Sequence, residues 1–242
     1  MITLLRRIRK QLLENKQFAK YLTYALGEIV LVVIGILIAL QINNRNEALK
    51  EREEEKKLLK ELLRDFEANI AELDTVAYYA NLSIDKMIAV ELHIEQDRPY
   101  EKKLDTLFGG LDYWDIPYIH LAAYDALKAK GIQSISDDSL KYKISRVYEQ
   151  GMKHLLDDAG KWEWSYNQNT TQRFMTKHFR RPKENRGSLA VPIDYEALKK
   201  DEEFRNFLSV LIAVRESHVS AMNILSKEME ECLEPLEAEI AK

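Results

Sequence analysis

The chain contains very little cysteine, glycine and proline, and each shortage excludes something. Cys232 is the single cysteine, so the chain can form neither an intrachain disulfide nor a multi-cysteine zinc site. Eight glycines and five prolines among 242 residues argue against a β-rich or loop-rich fold, whereas abundant Leu, Ala, Glu and Lys favour helices. The composition therefore predicts an all-α protein.

A strong excess of one sign of charge is also lacking. The chain carries 36 basic and 40 acidic residues, a mildly acidic balance that gives no general support for nucleic-acid binding. Nucleophile motifs such as G-x-S-x-G and phosphate loops such as G-x-x-x-x-G-K do not occur in the sequence. The histidines show neither HExxH nor helical Glu-x-x-His spacing. We therefore expect no catalytic residue, no metal and no cofactor. The histidines are His93, His120, His154, His178 and His218.

What the sequence does contain is one long apolar run, YLTYALGEIVLVVIGILIALQI, from Tyr21 to Ile42. Its one charged residue is Glu28, and as a helix it would be about 33 Å long, enough to cross the hydrocarbon core of a bilayer. Six basic residues and one acid precede it in residues 1–20. Because the run is long and no small-x-small cleavage site follows, we predict an uncleaved signal anchor rather than a cleaved signal peptide.

The basic N-terminal tail predicts an orientation. A short basic segment stays in the cytoplasm, so the long C-terminal domain is expected on the other side of the membrane. The flank after the apolar run, residues 43–62, holds six further basic residues diluted by acids. This second basic flank reduces the charge asymmetry on which the predicted orientation depends.

One face of the predicted span carries its small and polar residues. Tyr21, Tyr24, Glu28, Gly35 and Ala39 share a stripe, because steps of three, four, seven and eleven return to one helix face. Gly35 and Ala39 form a small-xxx-small pair that allows close helix approach. Two interpretations remain open: a self-associating span with Glu28 at the contact, or a monomeric span whose Glu28 reaches the headgroups or is neutral.

Helix is predicted to continue beyond the membrane, because no Gly or Pro occurs from Asn46 to Leu92. An apolar stripe with alternating steps of four and three predicts the buried face of this helix. The EREEEKK run at 51–57 precedes the stripe and is predicted to be a solvated stalk. The expected organisation is a basic tail (1–20), a transmembrane helix (21–42), a charged helical stalk (43–57) and a helical bundle (58–242). The stripe consists of Leu59, Leu63, Phe66, Ile70, Leu73, Ala77, Ala80, Ile84 and Met87.

Further helices complete the predicted antiparallel bundle. Short helices are expected at 102–107 and 119–130, and Gly131 is expected to stop the second. Ser136 or Asp137 can cap a long helix, and Asp201 can open the last one. An exposed connector is expected at 178–191. The predicted core of the long helix is Leu140, Ile144, Val147, Gly151, Leu155, Trp162 and Tyr166; that of the last helix is Phe204, Leu208, Leu211, Met222, Leu225, Met229, Leu233 and Leu236.

Two segments resemble a known family. The segment GEIVLVVIGILIALQINN, which begins at Gly27, resembles the N-terminal hallmark of an uncharacterised family of bacterial single-span membrane proteins common in the Bacteroidota. The segment from Ala123 to Glu149 is similar to that family's helix–Gly–turn–helix segment. The resemblance implies a single-pass protein of the bacterial inner membrane with an all-helical extracytoplasmic domain. It implies no known activity and no cofactor, because the family's function is unknown.

Aromatic residues suggest where a ligand would bind, if one does. Trp114, Tyr118 and His120 lie in one loop and Trp162 lies in the long helix, and together they could line a small-molecule pocket. Aromatic side chains at helix junctions are more often packed in the core, and we favour that interpretation. The basic connector 177–186 could bind an anion, although a solvated loop is favoured there too.

Two polar residues interrupt the predicted core stripe of the last helix. Arg215 and His218 could form a buried network with Glu216 or with acids on another helix. Positions of this kind more often lie at the edge of a bundle, where an arginine reaches solvent and a histidine finds a carbonyl group. We therefore favour the edge position.

These observations lead to two hypotheses about function. The first is a membrane-anchored helical scaffold, adaptor or sensor-like module that acts through the bilayer, through self-association, or through an envelope partner. The second is a membrane-tethered receptor or enzyme with its site near Trp114, His120 and Trp162. The absence of a catalytic signature from the sequence favours the first.

Overall fold

The computed structural model describes residues 18–242, with side chains described from Leu22 onward. Most of the predicted basic tail lies outside this range. The first helix, α1, spans Phe18–Glu95. The chain divides into two compact units between Glu54 and Glu55, so this helix contributes to both.

The first unit contains the apolar part of α1. Its most apolar window has a mean hydropathy of 2.6 and none of that window is buried, so by length and composition this helix could cross a membrane. The exposed side chains are large and aliphatic, among them Leu31, Ile36 and Leu37. Among the described residues, this is the one helix that satisfies the criteria for a span.

The second unit is built from helices, as the composition predicted, and it also contains one small strand pair. After α1 come α2 (Leu104–Gly109), α3 (Ala122–Lys130) and a 3₁₀ turn (Ile132–Ser134). A continuous helix then covers residues 138–178, and we call it the central helix. The strands β1 (Phe179–Arg180) and β2 (Val191–Pro192) pair antiparallel. A short helix at Tyr195–Lys199 and a long one at Glu202–Ala241 follow; the long one is called the last helix.

The last helix runs antiparallel to both other long helices. On the central helix, Arg146 pairs with Glu228 near one end, and Tyr166 donates to the Phe207 carbonyl near the other. The second-unit part of α1 and the central helix run in the same direction, because residues 96–137 return the chain to the starting end before the central helix begins. The all-α prediction is confirmed.

Local sequence signals position several helix ends as predicted. Gly131 stops α3 with a φ of 104°, a backbone conformation that suits glycine. Asp137 caps the central helix by accepting from the Leu140 N–H at 2.9 Å, and Asp201 caps the last helix. Ser136, the alternative cap, instead donates to Glu55.

The buried face of α1 contains most of the predicted stripe. Seven of the nine predicted positions are buried, and the other two, Leu63 and Ile70, are partly buried and pack against the core. The seven buried positions are Leu59, Phe66, Leu73, Ala77, Ala80, Ile84 and Met87. Four further positions between these are also almost completely buried, and two of the four are polar. These intervening positions are Leu62, Asn69, Val76 and Ser83. The seam also begins earlier, because Glu55 is 2 % exposed and accepts hydrogen bonds from Ser136 N and Oγ. The solvated stretch therefore ends before Glu55 and not at residue 57.

The central helix alternates between α and π turns. Its α segments are α4 (Asp138–Arg146), α5 (Lys161–Tyr166) and α6 (Gln172–His178). Its π segments are Val147–Gly151, His154–Gly160 and Asn167–Thr171. A π turn holds more residues than an α turn, so buried positions recur at steps of four. The expected core position Trp162 is wrong for this reason: Trp162 is 55 % exposed and Glu163 faces the core.

Side chains of α1 hydrogen bond with the backbone of the segment that joins α1 to the central helix, residues 96–137. The Asn69 side chain forms two hydrogen bonds with the His120 backbone. Its Nδ2 donates to the carbonyl oxygen at 3.0 Å, and its Oδ1 accepts from the N–H at 2.7 Å. Glu72 accepts from the Tyr118 N–H, and Asp65 accepts from the Ala123 N–H in the first turn of α3. Three polar residues of α1 thus fix the path of residues 118–123.

Candidate functional site

A charged side chain lies at the centre of the second unit. Arg215, on the last helix, is 1 % exposed. Its Nε donates to Glu163 Oε1 at 2.9 Å and its Nη1 donates to Ser83 Oγ at 2.7 Å. Its Nη2 donates to the carbonyl oxygen of Tyr113. One guanidinium therefore joins α1, the central helix, the last helix and the loop that follows α2.

His218 adds a second base to the same carboxylate. Its Nδ1 hydrogen bonds with Glu163 Oε2, so each carboxylate oxygen of Glu163 has a nitrogen partner. His218 Nε2 is buried and has no hydrogen-bond partner among the described residues. Gly160 lies close to this nitrogen, since a Cβ added at Gly160 would be 3.8 Å from Nε2. We call Ser83, Glu163, Arg215 and His218 the buried network.

The buried network joins several elements of the second unit. A carboxylate between an arginine and a histidine is a familiar acid–base arrangement. Here, however, all four residues are at most 3 % exposed, and both oxygens of the Glu163 carboxylate are already bonded to Arg215 and His218. Charged groups removed from water are tolerated only when paired and hydrogen bonded. The pairing of Arg215 with Glu163 satisfies that requirement.

A cavity of about 460 Å³ adjoins the buried network. Ser83 and Tyr113, which both accept from Arg215, form part of its wall. Ser83 also donates to the Gly110 carbonyl at 3.0 Å, which fixes the neighbouring backbone. Burial raises the pKa of Tyr113 above its ordinary value, so this phenol stays neutral at physiological pH. The cavity size lies within the range of small-molecule sites.

The connector after β1 closes one side of this cavity. Arg181 donates to the Leu189 carbonyl at 3.2 Å and pairs with Asp112 at 2.5 Å. Gly109 packs directly under the connector, because a Cβ added there would lie 2.1 Å from the Ser188 carbonyl oxygen. Gly187 and Ser188 line the cavity as a result. One basic residue of the connector, Arg181, is thus paired with an acid.

The four aromatic-site residues predicted from the sequence lie in different surroundings. Trp114 lines the cavity beside the buried network. Tyr118 is 78 % exposed and Trp162 is 55 % exposed. The His120 side chain is exposed, while its backbone is held by Asn69. No hydrogen bond or ring contact joins any two of the four within residues 22–242, and their role in binding stays a prediction.

The residues predicted for a membrane contact lie on the apolar part of α1. Gly35 and Ala39 are exposed, and a Cβ added at Gly35 would meet nothing within 4 Å. Glu28 lies on the same helix in the half nearer the N-terminus. Their part in helix association is likewise still a prediction.

The preferred edge position of Arg215 and His218 is wrong, and the alternative of a buried network is the one observed. Their acid partner is Glu163, which sequence reasoning missed. The apolar stripe of the central helix had been followed through Trp162, one residue before it. A signal did exist: an arginine and a histidine three residues apart in a core stripe require a buried acid on a facing helix.

No three His, Cys, Asp or Glu side chains among the described residues are grouped to hold a metal ion. A family model described as a family of unknown function, DUF6090, matches residues 28–179. No curated protein and no solved structure matches the chain. Ser83 and Glu163 lie inside the matched range, whereas Arg215 and His218 lie beyond it.

Proposed function

The chain belongs to the DUF6090 family, whose function is unknown, and we propose that it is a membrane-anchored helical scaffold, adaptor or sensor-like module. It acts by self-association or by binding another envelope protein. The observation that carries the proposal is the apolar part of α1, which has a mean hydropathy of 2.6 and no buried residue in its most apolar window. A helix of that kind is stable in lipid or against another apolar helix.

The proposal places α1 across the bacterial inner membrane as an uncleaved anchor. The N-terminus is in the cytoplasm and the helical unit 55–242 is in the periplasm. The basic residues that precede the span support this orientation, because positively charged flanks are retained inside. The single cysteine supports it weakly, since a helical domain without disulfides folds in an oxidising compartment as well as in a reducing one.

Self-association is proposed to use the face that carries Glu28, Gly35 and Ala39. Small residues four apart let two helix backbones approach closely, which gains dispersion contacts that lipid does not supply. A carboxyl in an apolar span is costly when it faces lipid, so burial of Glu28 between helices favours the same face. Two copies of this chain meet the requirement without another partner.

Disulfide crosslinking in native membranes tests this face. We expect Ala39→Cys to crosslink on oxidation, whereas Leu37→Cys should not, because position 37 is about 200° from position 39 around the helix. The native thiol gives a low background, since Cys232 is buried and burial raises its pKa to about 11.

A second pair of variants tests the small residue itself. Gly35→Leu should lower the crosslinked fraction of Ala39→Cys severalfold, because the added side chain separates the backbones. Val33→Leu lies on the opposite face and should leave that fraction unchanged. Equal crosslinking at positions 37 and 39, or no crosslinking at either together with no captured envelope protein, would contradict the proposal.

A further inference from the structure

The cavity beside the buried network has walls from three separate segments of the second unit. Tyr79, Ser83 and Lys86 come from α1, Tyr113 and Trp114 come from the loop after α2, and Ser188 comes from the connector. A site assembled from distant parts of the chain is held only while the fold is intact. Its volume, about 460 Å³, would hold a ligand of one or two rings.

Part of the wall of this cavity is fixed before any ligand enters. Ser83 is held by Arg215 and by the Gly110 carbonyl, and the Tyr113 carbonyl accepts from Arg215. The guanidinium of Arg215 also lies 5.8 Å from the centre of the Tyr113 ring, within the distance of a cation–π contact. Binding to a preorganised wall costs less conformational entropy than binding to a mobile one.

The two charged residues that line the cavity differ in whether they have an ion-pair partner. Two lining residues carry charge, Lys86 and Asp112. Asp112 is neutralised by Arg181 at 2.5 Å. Lys86 has no hydrogen-bond or ion-pair partner among the described residues, and its stem packs against Gly110, 3.0 Å from where a Cβ of that residue would lie. One positive charge is therefore available to a ligand.

The remaining lining supplies flat apolar surface. Three aromatic residues, Tyr79, Tyr113 and Trp114, line the same space as Lys86. Aromatic walls favour ligands with a flat or ring-shaped body, and an unpaired ammonium favours a carboxylate or another acidic group. Both preferences apply within one cavity.

We propose that this cavity binds a small monoanion that carries a ring, with Lys86 opposite the acidic group and Tyr79, Tyr113 and Trp114 beside the ring. The site lies beyond the proposed scaffold function and does not depend on self-association. It differs from the aromatic site predicted from the sequence. Of the four residues of that predicted site, Trp114 lines this cavity, whereas Tyr118, His120 and Trp162 do not.

Titration of the full-length protein in detergent micelles with 4-hydroxyphenylacetate tests the proposal. We expect saturable binding with a Kd of about 1 mM, typical of a fragment-sized ligand, measured by ligand-observed NMR. The neutral amide of the same compound should bind at least about tenfold more weakly, because it lacks the charge that pairs with Lys86. Inorganic phosphate at the same concentration should not displace the probe, because it has no ring.

Matched variants locate the binding. Lys86→Met keeps the apolar stem and should weaken the probe at least about tenfold, with an unchanged helical circular dichroism spectrum. Lys227→Met removes an exposed lysine that lines a separate groove between α1 and the last helix, and should leave the Kd unchanged. The proposal fails if the probe does not bind at concentrations up to about ten times that Kd, if the amide binds equally well, or if Lys86→Met binds like the parent protein.

Discussion

Glu163 carries one negative charge between Arg215 and His218, and its removal leaves neither with an acidic partner in the buried network. Arg215 and His218 each bond to one oxygen of its carboxylate. Truncating one member of a buried ion pair is costly because the other charge remains in a dry environment. Replacing the whole set by apolar residues is far less costly. The stability of the second unit should therefore depend on which member is changed.

Glu163→Gln should lower the free energy of unfolding by about 3–5 kcal/mol. The amide keeps the shape of the side chain but cannot balance the charge of Arg215. Urea denaturation followed by circular dichroism measures the loss. Glu237→Gln, on an exposed position of the last helix, is the matched control and should change the stability by less than about 0.5 kcal/mol. A loss as small as that of the control would show that the ion pair contributes nothing.

Two stacked tyrosines offer a comparison within one packing site. The rings of Tyr124 and Tyr148 lie 4.0 Å apart at 2° between planes. Tyr124 donates its hydroxyl to Glu149 at 2.8 Å. The Tyr148 hydroxyl is buried and has no hydrogen-bond partner among the described residues. The two hydroxyls should therefore have opposite effects on stability.

Tyr148→Phe should be neutral or stabilising, because it removes an unsatisfied buried hydroxyl, whereas Tyr124→Phe should cost about 1 kcal/mol. A pH series gives a second readout. Burial raises the pKa of Tyr148 in the folded state, so its contribution to stability is present below the ordinary tyrosine value of about 10 and is lost as the pH rises above it. Tyr148→Phe should reduce this alkaline loss. A larger destabilisation by Tyr148→Phe than by Tyr124→Phe at neutral pH would contradict the assignment.

At the scale of single elements, sequence patterns predicted where helices lie better than which side they bury. The caps at Asp137 and Asp201 and the stop at Gly131 depend on local chemistry, and all three are confirmed. The buried face of α1 is wider than predicted, because Asn69 and Ser83 are buried beside the predicted stripe. Each is polar for a reason that lies elsewhere in the chain, in the His120 backbone and in Arg215. An apolar pattern cannot reveal such partners.

The central helix itself was predicted, but part of its buried face was missed for a different reason. Its π segments change the number of residues per turn, so a pattern read at 3.6 residues drifts away from the buried face. Leu155, Ala159, Glu163, Asn167 and Thr171 are all buried at steps of four. Nothing in the sequence of residues 147–171 marks those turns. The acid of the buried network was missed with them.

Gly109, at the end of α2, gives the sharpest test of how the connector is held. Gly109→Ala should destabilise the second unit by about 1–3 kcal/mol, because the new Cβ overlaps the Ser188 backbone and neither can move without shifting the chain. Proteolysis within residues 181–190 should accelerate as the connector separates.

Gly187→Ala is the matched control for this substitution. A Cβ at Gly187 would meet nothing within 4 Å, although the residue lies in the same connector. Its stability and its proteolysis rate should equal those of the parent protein. If both variants behave alike, the close approach at Gly109 does not hold the connector.

At the scale of the whole molecule, the second unit has its own core and should fold without the apolar part of α1. A fragment of residues 51–242 should be soluble and helical and should unfold cooperatively, as shown by size exclusion and circular dichroism. A fragment of residues 58–242 should be less stable by about 1–3 kcal/mol, because it lacks Glu55 and leaves the Ser136 N–H and hydroxyl without their buried acceptor. Equal stability of the two fragments would show that the folded unit begins after residue 57.

The residues of the buried network are far apart in the sequence, so the ribosome adds them at different times. Arg215 lies 132 residues after Ser83 and 52 after Glu163. During synthesis the carboxylate therefore emerges long before the base that balances it. A charged carboxylate without its partner favours contact with water. We therefore expect the centre of the second unit to close when the last helix packs, and a chain truncated before Arg215 to remain open there.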